Sequence, residues 1–167
     1  LLIGIGFEHA MIEKADRESK NKSGQLAYLN GFLHSFGENK AQQLIVKLDD
    51  NEPETINTNS FIVANAAPFT TLLAQGGGQP DHRDGLLDVN WLTPNKDNET
   101  TVLSIAELMF SSITQTHLAI NSHYTNAKRV EISADETLNY VIDGEVKSAD
   151  KVVVSIHPAS LNVICQE

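Results

Sequence analysis

Tyr140-Val141-Ile142-Asp143-Gly144-Glu145 is the stretch that decides how this chain folds. A tyrosine and two aliphatic residues of strand type run into an Asp-Gly pair. Asp-Gly between apolar runs is a strong hairpin signal, because glycine takes the positive φ that a tight primed turn requires. The same corner sets two carboxylates, Asp143 and Glu145, on either side of one glycine. A glutamate that follows a rigid turn is well placed for a general base, and a solvated turn residue stands in the same place. Spacing alone does not separate the two.

Outward from this corner the apolar pattern has period two in short runs. These are Leu44 to Leu48, Phe61 to Ala64, Leu86 to Trp91, Arg129 to Ile132, Leu138 to Ile142, Val152 to Ile156 and Leu161 to Ile164, and the opening Leu1 to Phe7 also reads as strand. Many short strands separated by polar turns predict an antiparallel β-sandwich or barrel. Two stretches follow the helical period instead: Gly24 to Phe36, with Leu26, Leu29, Leu33 and Phe36 on one face, and Glu99 to Ile113, with Leu103, Ala106, Phe110 and Ile113. The expected fold is therefore mainly β, an antiparallel β-sandwich with one or two packed helices. Asn51 to Asn59, rich in Asn, Glu, Thr and Pro, reads as a hairpin connection, and Ala74 to Gly85 as a glycine-rich loop. No repeat or linker divides the chain, so residues 1–167 read as a single domain.

The formal charge is −10, from 22 acidic and 12 basic side chains. Such a surface repels phosphate backbones, which excludes nucleic acid as a partner and docking to anionic lipid by charge alone. Phosphate chemistry on this chain would need a divalent cation or a basic surface from elsewhere. The single cysteine, Cys165, forms no intrachain disulfide, and the expected address is cytoplasmic. No apolar run approaches the roughly 20 residues of a membrane span. The opening Leu1-Leu2-Ile3-Gly4-Ile5-Gly6-Phe7 reads as a strand entered in mid-protein, with an upstream part expected.

The six histidines are scattered without zinc-hydrolase spacing. Gly76-Gly77-Gly78 lacks the Lys-Ser/Thr that completes a P-loop, a serine nucleophile elbow is absent, and Cys165 has no histidine near it in sequence. The second acidic cluster, Asp84-Gly85-Leu86-Leu87-Asp88-Val89, brackets a turn into a strand with carboxylates four residues apart. A carboxylate with main-chain carbonyls suits a hard cation such as Mg²⁺, and a plain turn explains the same residues.

Taken in order, these pieces resemble one family. Gly4-Ile5-Gly6-Phe7-Glu8-His9-Ala10, Gly24-Gln25-Leu26-Ala27-Tyr28, the strand-end Asn65, Gly76-Gly77-Gly78 with Pro80, Asp84-Gly85-Leu86-Leu87-Asp88-Val89 and Ile142-Asp143-Gly144-Glu145 are similar to successive motifs in the C-terminal half of the diacylglycerol kinase-like lipid kinases, the group that includes the phosphatidylglycerol, sphingosine and ceramide kinases. The resemblance covers nearly the whole chain.

It implies that the chain is the C-terminal β-sandwich domain of a two-domain, NAD kinase-like fold, whose N-terminal α/β nucleotide-binding domain is absent from this chain. The whole protein would transfer the γ-phosphate of ATP to a lipid hydroxyl of the diacylglycerol kind, and the chain alone would be inactive. Glu145 would be the proton acceptor, with Asp143 beside it in the catalytic corner. Asn65 and Gly77 would contact the nucleotide, and Asp84, with the main-chain oxygens of Leu87 and Val89, would hold a structural Mg²⁺. The implied partners are the lipid substrate, the protein's own N-terminal domain and a membrane met peripherally; the sequence is silent on oligomeric state, and a homodimer stays open. Two other readings stand beside this one: a non-catalytic ligand-binding or regulatory β-sandwich, and an NAD kinase-like enzyme. The Asp-Gly-Glu corner favours the lipid branch.

Overall fold

A computed structural model describes residues 1–6, 41–65, 81, 83–94, 122–143 and 145–160. Within them the chain forms β1 (Leu2–Gly6), β2 (Gln42–Leu48), β3 (Glu54–Thr58), β4 (Ser60–Ala64), β5 (Leu87–Leu92), β6 (Ser122–Ala127), β7 (Arg129–Ile142) and β8 (Glu145–Ser155). Every pairing is antiparallel, in the order β3-β2-β7-β1-β4-β5-β6, with β8 on the other side of β7.

The long β7 turns this one sheet into two layers. Its first part, Val130 to Ser133, pairs with β2, and its last part, Tyr140 to Ile142, pairs with β1. β8 follows it throughout, with a bulge between Ser133 and Leu138. A bulge bends and twists a strand, so the hairpin passes from one layer into the other. Leu44, Val46, Val130, Ile132, Val152 and Val154 of the smaller layer share one core with Ile3, Ile5, Phe61, Val63, Leu87, Val89 and Leu138 of the larger. The antiparallel sandwich expected from alternation is the fold observed.

β4 is buried on both faces, with Phe61 and Val63 in the main core and Ile62 and Ala64 in a second cluster with Leu2. Beside it, Gly6 has φ +91, and a Cβ there would run into the Asn59 carbonyl. Only glycine meets both demands.

Two expectations are corrected. The stretch from Asn51 to Asn59 contains β3, paired with β2 from Gln42↔Thr58 to Val46↔Glu54. Its polar composition hid an edge strand whose Ile56 still packs on the core. Arg129 to Ile132 and Leu138 to Ile142 are two ends of one strand, because the polar residues between them form the bulge. β6, of sequence SHYTNA, has no apolar run and was legible only from its partner β5. Both predicted helices, the glycine triplet and Leu161 to Ile164 lie outside the described residues. Among the described residues no helix is long and apolar enough to cross a membrane.

Candidate functional site

Ile142 pairs with Glu145 across the β7–β8 connection, and Asp143 is the first residue beyond the paired end of β7. Asp143 adopts φ 47, the left-handed region that aspartate tolerates better than most residues. Its Oδ1 accepts the N–H of Leu2 at 2.8 Å, and its own N–H donates to the Leu2 carbonyl at 3.0 Å. The carboxylate of Asp143 thus fastens the corner to the start of β1. Glu145, the first residue of β8, is 74% exposed, and its Oε2 lies 3.3 Å from the Lys147 ammonium. Glu145, Lys147 and Ala149 alternate along one face of β8, the face on which Ala149 reaches the core.

Asn65 follows the last residue of β4, and its N–H donates to the Leu1 carbonyl at 3.0 Å. Its Oδ1 is buried and has no hydrogen-bond partner among the described residues. A buried amide oxygen of this kind costs stability until a donor meets it.

The turn into β5 is built by aspartates. Asp81 Oδ1 accepts the N–H of Arg83 at 2.9 Å, the Asp81 carbonyl accepts that of Asp84 at 3.3 Å, and Asp84 Oδ1 accepts that of Leu86 at 2.8 Å. The two carboxylate bonds are Asx turns, the local bonds that make aspartate a turn residue, and the main-chain bond closes a β-turn. Gly85 takes φ +74 with Pro158 close by. The side chains of Leu87 and Val89 are buried in the core, and their main chains are paired with Ala127 and Thr125 of β6. No group of three or more His, Cys, Asp or Glu side chains converges among the described residues. A cation near Asp84 would draw on main-chain oxygens and water.

The register brings these places together. Leu2 pairs with Ala64, Ala64 with Asp88, and Ile3 with Ile142. Asp143, Asn65 and the Asp84 turn therefore stand at the same end of the larger layer, on strands β7, β4 and β5 with β1 between the first two. Asp143 and β5 are three strand spacings apart, roughly 14 Å. Gly77 and Gly144 lie outside the described residues.

The sequence reading placed Asp88 in the acidic cluster but missed its partners on β6. Asp88, 5% exposed, takes two hydrogen bonds on Oδ1, from the Tyr124 hydroxyl at 2.7 Å and from Asn126 Nδ2 at 3.1 Å. Asn126 Nδ2 also lies 2.9 Å from the Tyr124 oxygen. Burial first, and then the bond to the Asp88 carboxylate, push the Tyr124 hydroxyl up to about 12. The alternation Tyr124, Asn126 was the available signal, but with no apolar run to mark β6 nothing aligned it with Asp88.

An antiparallel sandwich with acidic turns gathered at one end of one layer defines a class before it defines a family. The family model of the YegS C-terminal NAD kinase beta sandwich-like domain matches residues 2–165, and the chain belongs to that family. A protein of Synechocystis sp. (strain ATCC 27184 / PCC 6803 / Kazusa), itself described as uncharacterized, is 32% identical over 165 residues, covering 98% of this chain and 37% of its own length. A crystal structure of a diacylglycerol kinase from Bacillus anthracis str. Sterne superposes with a TM-score of 0.61 at 16% identity, over 94% of this chain and 48% of that one. The chain thus spans about half of that structure and less of the Synechocystis relative. At that identity the structural likeness speaks for the fold.

Proposed function

We propose that this chain is the C-terminal domain of an ATP-dependent lipid kinase that phosphorylates a diacylglycerol-like hydroxyl. The observation that carries the reading is the collection, at one end of one layer, of an exposed glutamate on a rigid corner, an unsatisfied amide oxygen at Asn65 and an aspartate-built turn at Asp84. Family membership and the fold shared with a diacylglycerol kinase support it.

In this reading Glu145 accepts the proton of the lipid hydroxyl as its oxygen attacks the γ-phosphorus of ATP; the bond to the β-phosphate oxygen breaks and ADP leaves. Phosphoryl transfer of this kind asks for positioning and charge neutralisation more than for covalent chemistry, so one aimed carboxylate suffices on this side of the cleft. Asp143 holds the corner through Leu2, and Glu145 beyond it is exposed, with the Lys147 ammonium beside its carboxylate. Asn65 offers its buried oxygen to a donor of the nucleotide, and Gly77 would contact the nucleotide beside it. The Asp84 carboxylate is a hard oxygen donor of the kind Mg²⁺ takes, but Leu87 and Val89 are alternate residues of β5 paired within the ladder, and a regular strand does not bring their two main-chain oxygens to one ion. The nucleotide cradle would come from the protein's own N-terminal domain, and the lipid would be met at a membrane surface by a cytoplasmic protein.

The test is transfer of labelled γ-phosphate from ATP to diacylglycerol, phosphatidylglycerol, ceramide and sphingosine by the full-length protein, beside Glu145→Gln. Transfer that collapses in a folded variant supports the assignment. A folded wild type that binds ATP and phosphorylates none of the lipids overturns it, and favours a ligand-binding role or a different acceptor.

A further inference from the structure

Lys147 has no step in the reaction described so far, although its ammonium lies 3.3 Å from Glu145 Oε2. We propose that Lys147 is a second catalytic residue of the Asp-Gly-Glu corner. It holds the Glu145 carboxylate while that group is charged, and donates to the oxygens of the transferring phosphoryl group as Glu145 takes up the proton. The proposal rests on the reading of Glu145 as the base in the preceding subsection.

The strand itself places the pair. Glu145 and Lys147 are two residues apart on β8, so their side chains leave the same face, with Cα atoms roughly 6.6 Å apart. Their cross-strand partners, Ile142 and Tyr140, pack on the main core. The backbone beneath the pair is thereby fixed while both heads stay in solvent, Lys147 at 49% exposure. Stability does not account for the pairing, because an ion pair this exposed is screened by water and orders two long side chains for little gain. The chemistry does account for it. The chain carries 22 acidic against 12 basic side chains, and a charged base and a γ-phosphate repel each other as the lipid hydroxyl draws them together. Among the described residues Lys147 is the cation paired with Glu145. Arg83, in the turn before β5, stands three strand spacings across the sheet. An ammonium in contact with the base offsets the repulsion, and once the carboxylate is neutral the ammonium is released towards the phosphoryl oxygens. The proton passes from the lipid hydroxyl to Glu145, the new P–O bond forms and the bond to the β-phosphate oxygen breaks. Lys147 gives hydrogen bonds only and stays protonated.

The experiment is transfer of labelled γ-phosphate from ATP by the full-length protein to whichever of diacylglycerol, phosphatidylglycerol, ceramide and sphingosine the wild type accepts. The variants are Lys147→Met, Lys147→Arg and, as a control for loss of an exposed lysine elsewhere, Lys151→Met, whose partner is Glu131. In Lys147→Met kcat should fall about 100-fold, the low end of what one aimed donor contributes, with the KM for ATP and the melting temperature unchanged. Lys147→Arg should keep most of the rate and Lys151→Met all of it. Single-turnover assays with enzyme in excess separate contact with the phosphoryl group from mere orientation of the base: in a Glu145→Gln background, Lys147→Met should lower the residual transfer further. No further loss there would mean that Lys147 acts only through Glu145, which overturns the catalytic role. A Lys147→Met enzyme as fast as wild type, beside an inactive Glu145→Gln, overturns the proposal and leaves the base in place. A wild type that binds ATP and phosphorylates no lipid overturns both. If Lys147→Met fails to fold, Lys147→Gln, which also removes the charge, decides the question.

Discussion

Asp143 and Leu2, 141 residues apart in sequence, hold each other by two hydrogen bonds, one to the Asp143 carboxylate at 2.8 Å and one between main chains at 3.0 Å. The Asp-Gly corner that ends β7 is therefore anchored to the start of β1, while Glu145 extends beyond the anchor into solvent.

Asp143 and Glu145 should separate by mutation. Asp143→Ala loses the bond to Leu2 and forces alanine to φ 47, each worth about 1 kcal/mol. A loss of about 2 kcal/mol in urea unfolding is expected. Asp143→Asn keeps an acceptor and tolerates the left-handed region, so it should unfold near wild type and keep most phosphoryl transfer. Loss of transfer in a fully folded Asp143→Asn as deep as in Glu145→Gln would give Asp143 a chemical role.

Gly6→Ala is expected to be among the costlier single changes at this end of β1. The φ of +91 strains any Cβ, and the Asn59 carbonyl occupies its space. Strain and overpacking together cost about 2–4 kcal/mol. A denaturation midpoint within experimental error of wild type would show that β1 shifts freely, contrary to its pairing with both β4 and β7.

Glu131, on the outer side of the smaller layer, is paired with Lys151 and with Arg129, whose Nε lies 3.1 Å from Oε1. The bond from Lys151 first, and that from Arg129 next, hold its carboxyl below the ordinary value near 4.5. A lowered carboxyl contributes stability that is present above the unfolded value and is lost as pH falls through the folded one. Melting curves from pH 6 down to pH 3 should therefore show a shallower acid loss for Glu131→Gln than for wild type. Parallel acid limbs would remove Glu131 from the account.

Tyr124 provides the alkaline counterpart. With its hydroxyl pushed up from 10.0 to about 12, it contributes stability that is present below pH 10 and is lost as pH rises towards 12. Ultraviolet titration of the protein should show a tyrosine that ionises late, and Tyr124→Phe should abolish that phase. A single ionisation near pH 10 in the wild type would mean that the hydroxyl is not held by Asp88.

The strands around Leu44 to Leu48 and Leu86 to Trp91 were legible in the sequence, because alternation of apolar and polar side chains is a local record of which face is buried, and Phe61 to Ala64, buried on both faces, was legible as a short apolar run. The hairpin at Asp143 and Gly144 was legible for a similar reason: turn chemistry depends on two or three neighbouring residues. β3 and β6 were not, since Thr55, Asn57, Tyr124 and Asn126 become strand residues through the ladder partners that hold them. The motifs containing Asn65, Asp84 and Glu145 could be picked out one by one, but not their position relative to each other. That position is decided by the pairing of β1 with both β4 and β7, contacts that bring together residues 54 to 139 positions apart. The burial of Asp88 is likewise a product of tertiary structure: in sequence it is one more acidic residue in a polar turn, and only the face opposite Tyr124 and Asn126 makes its charge something the fold has to satisfy.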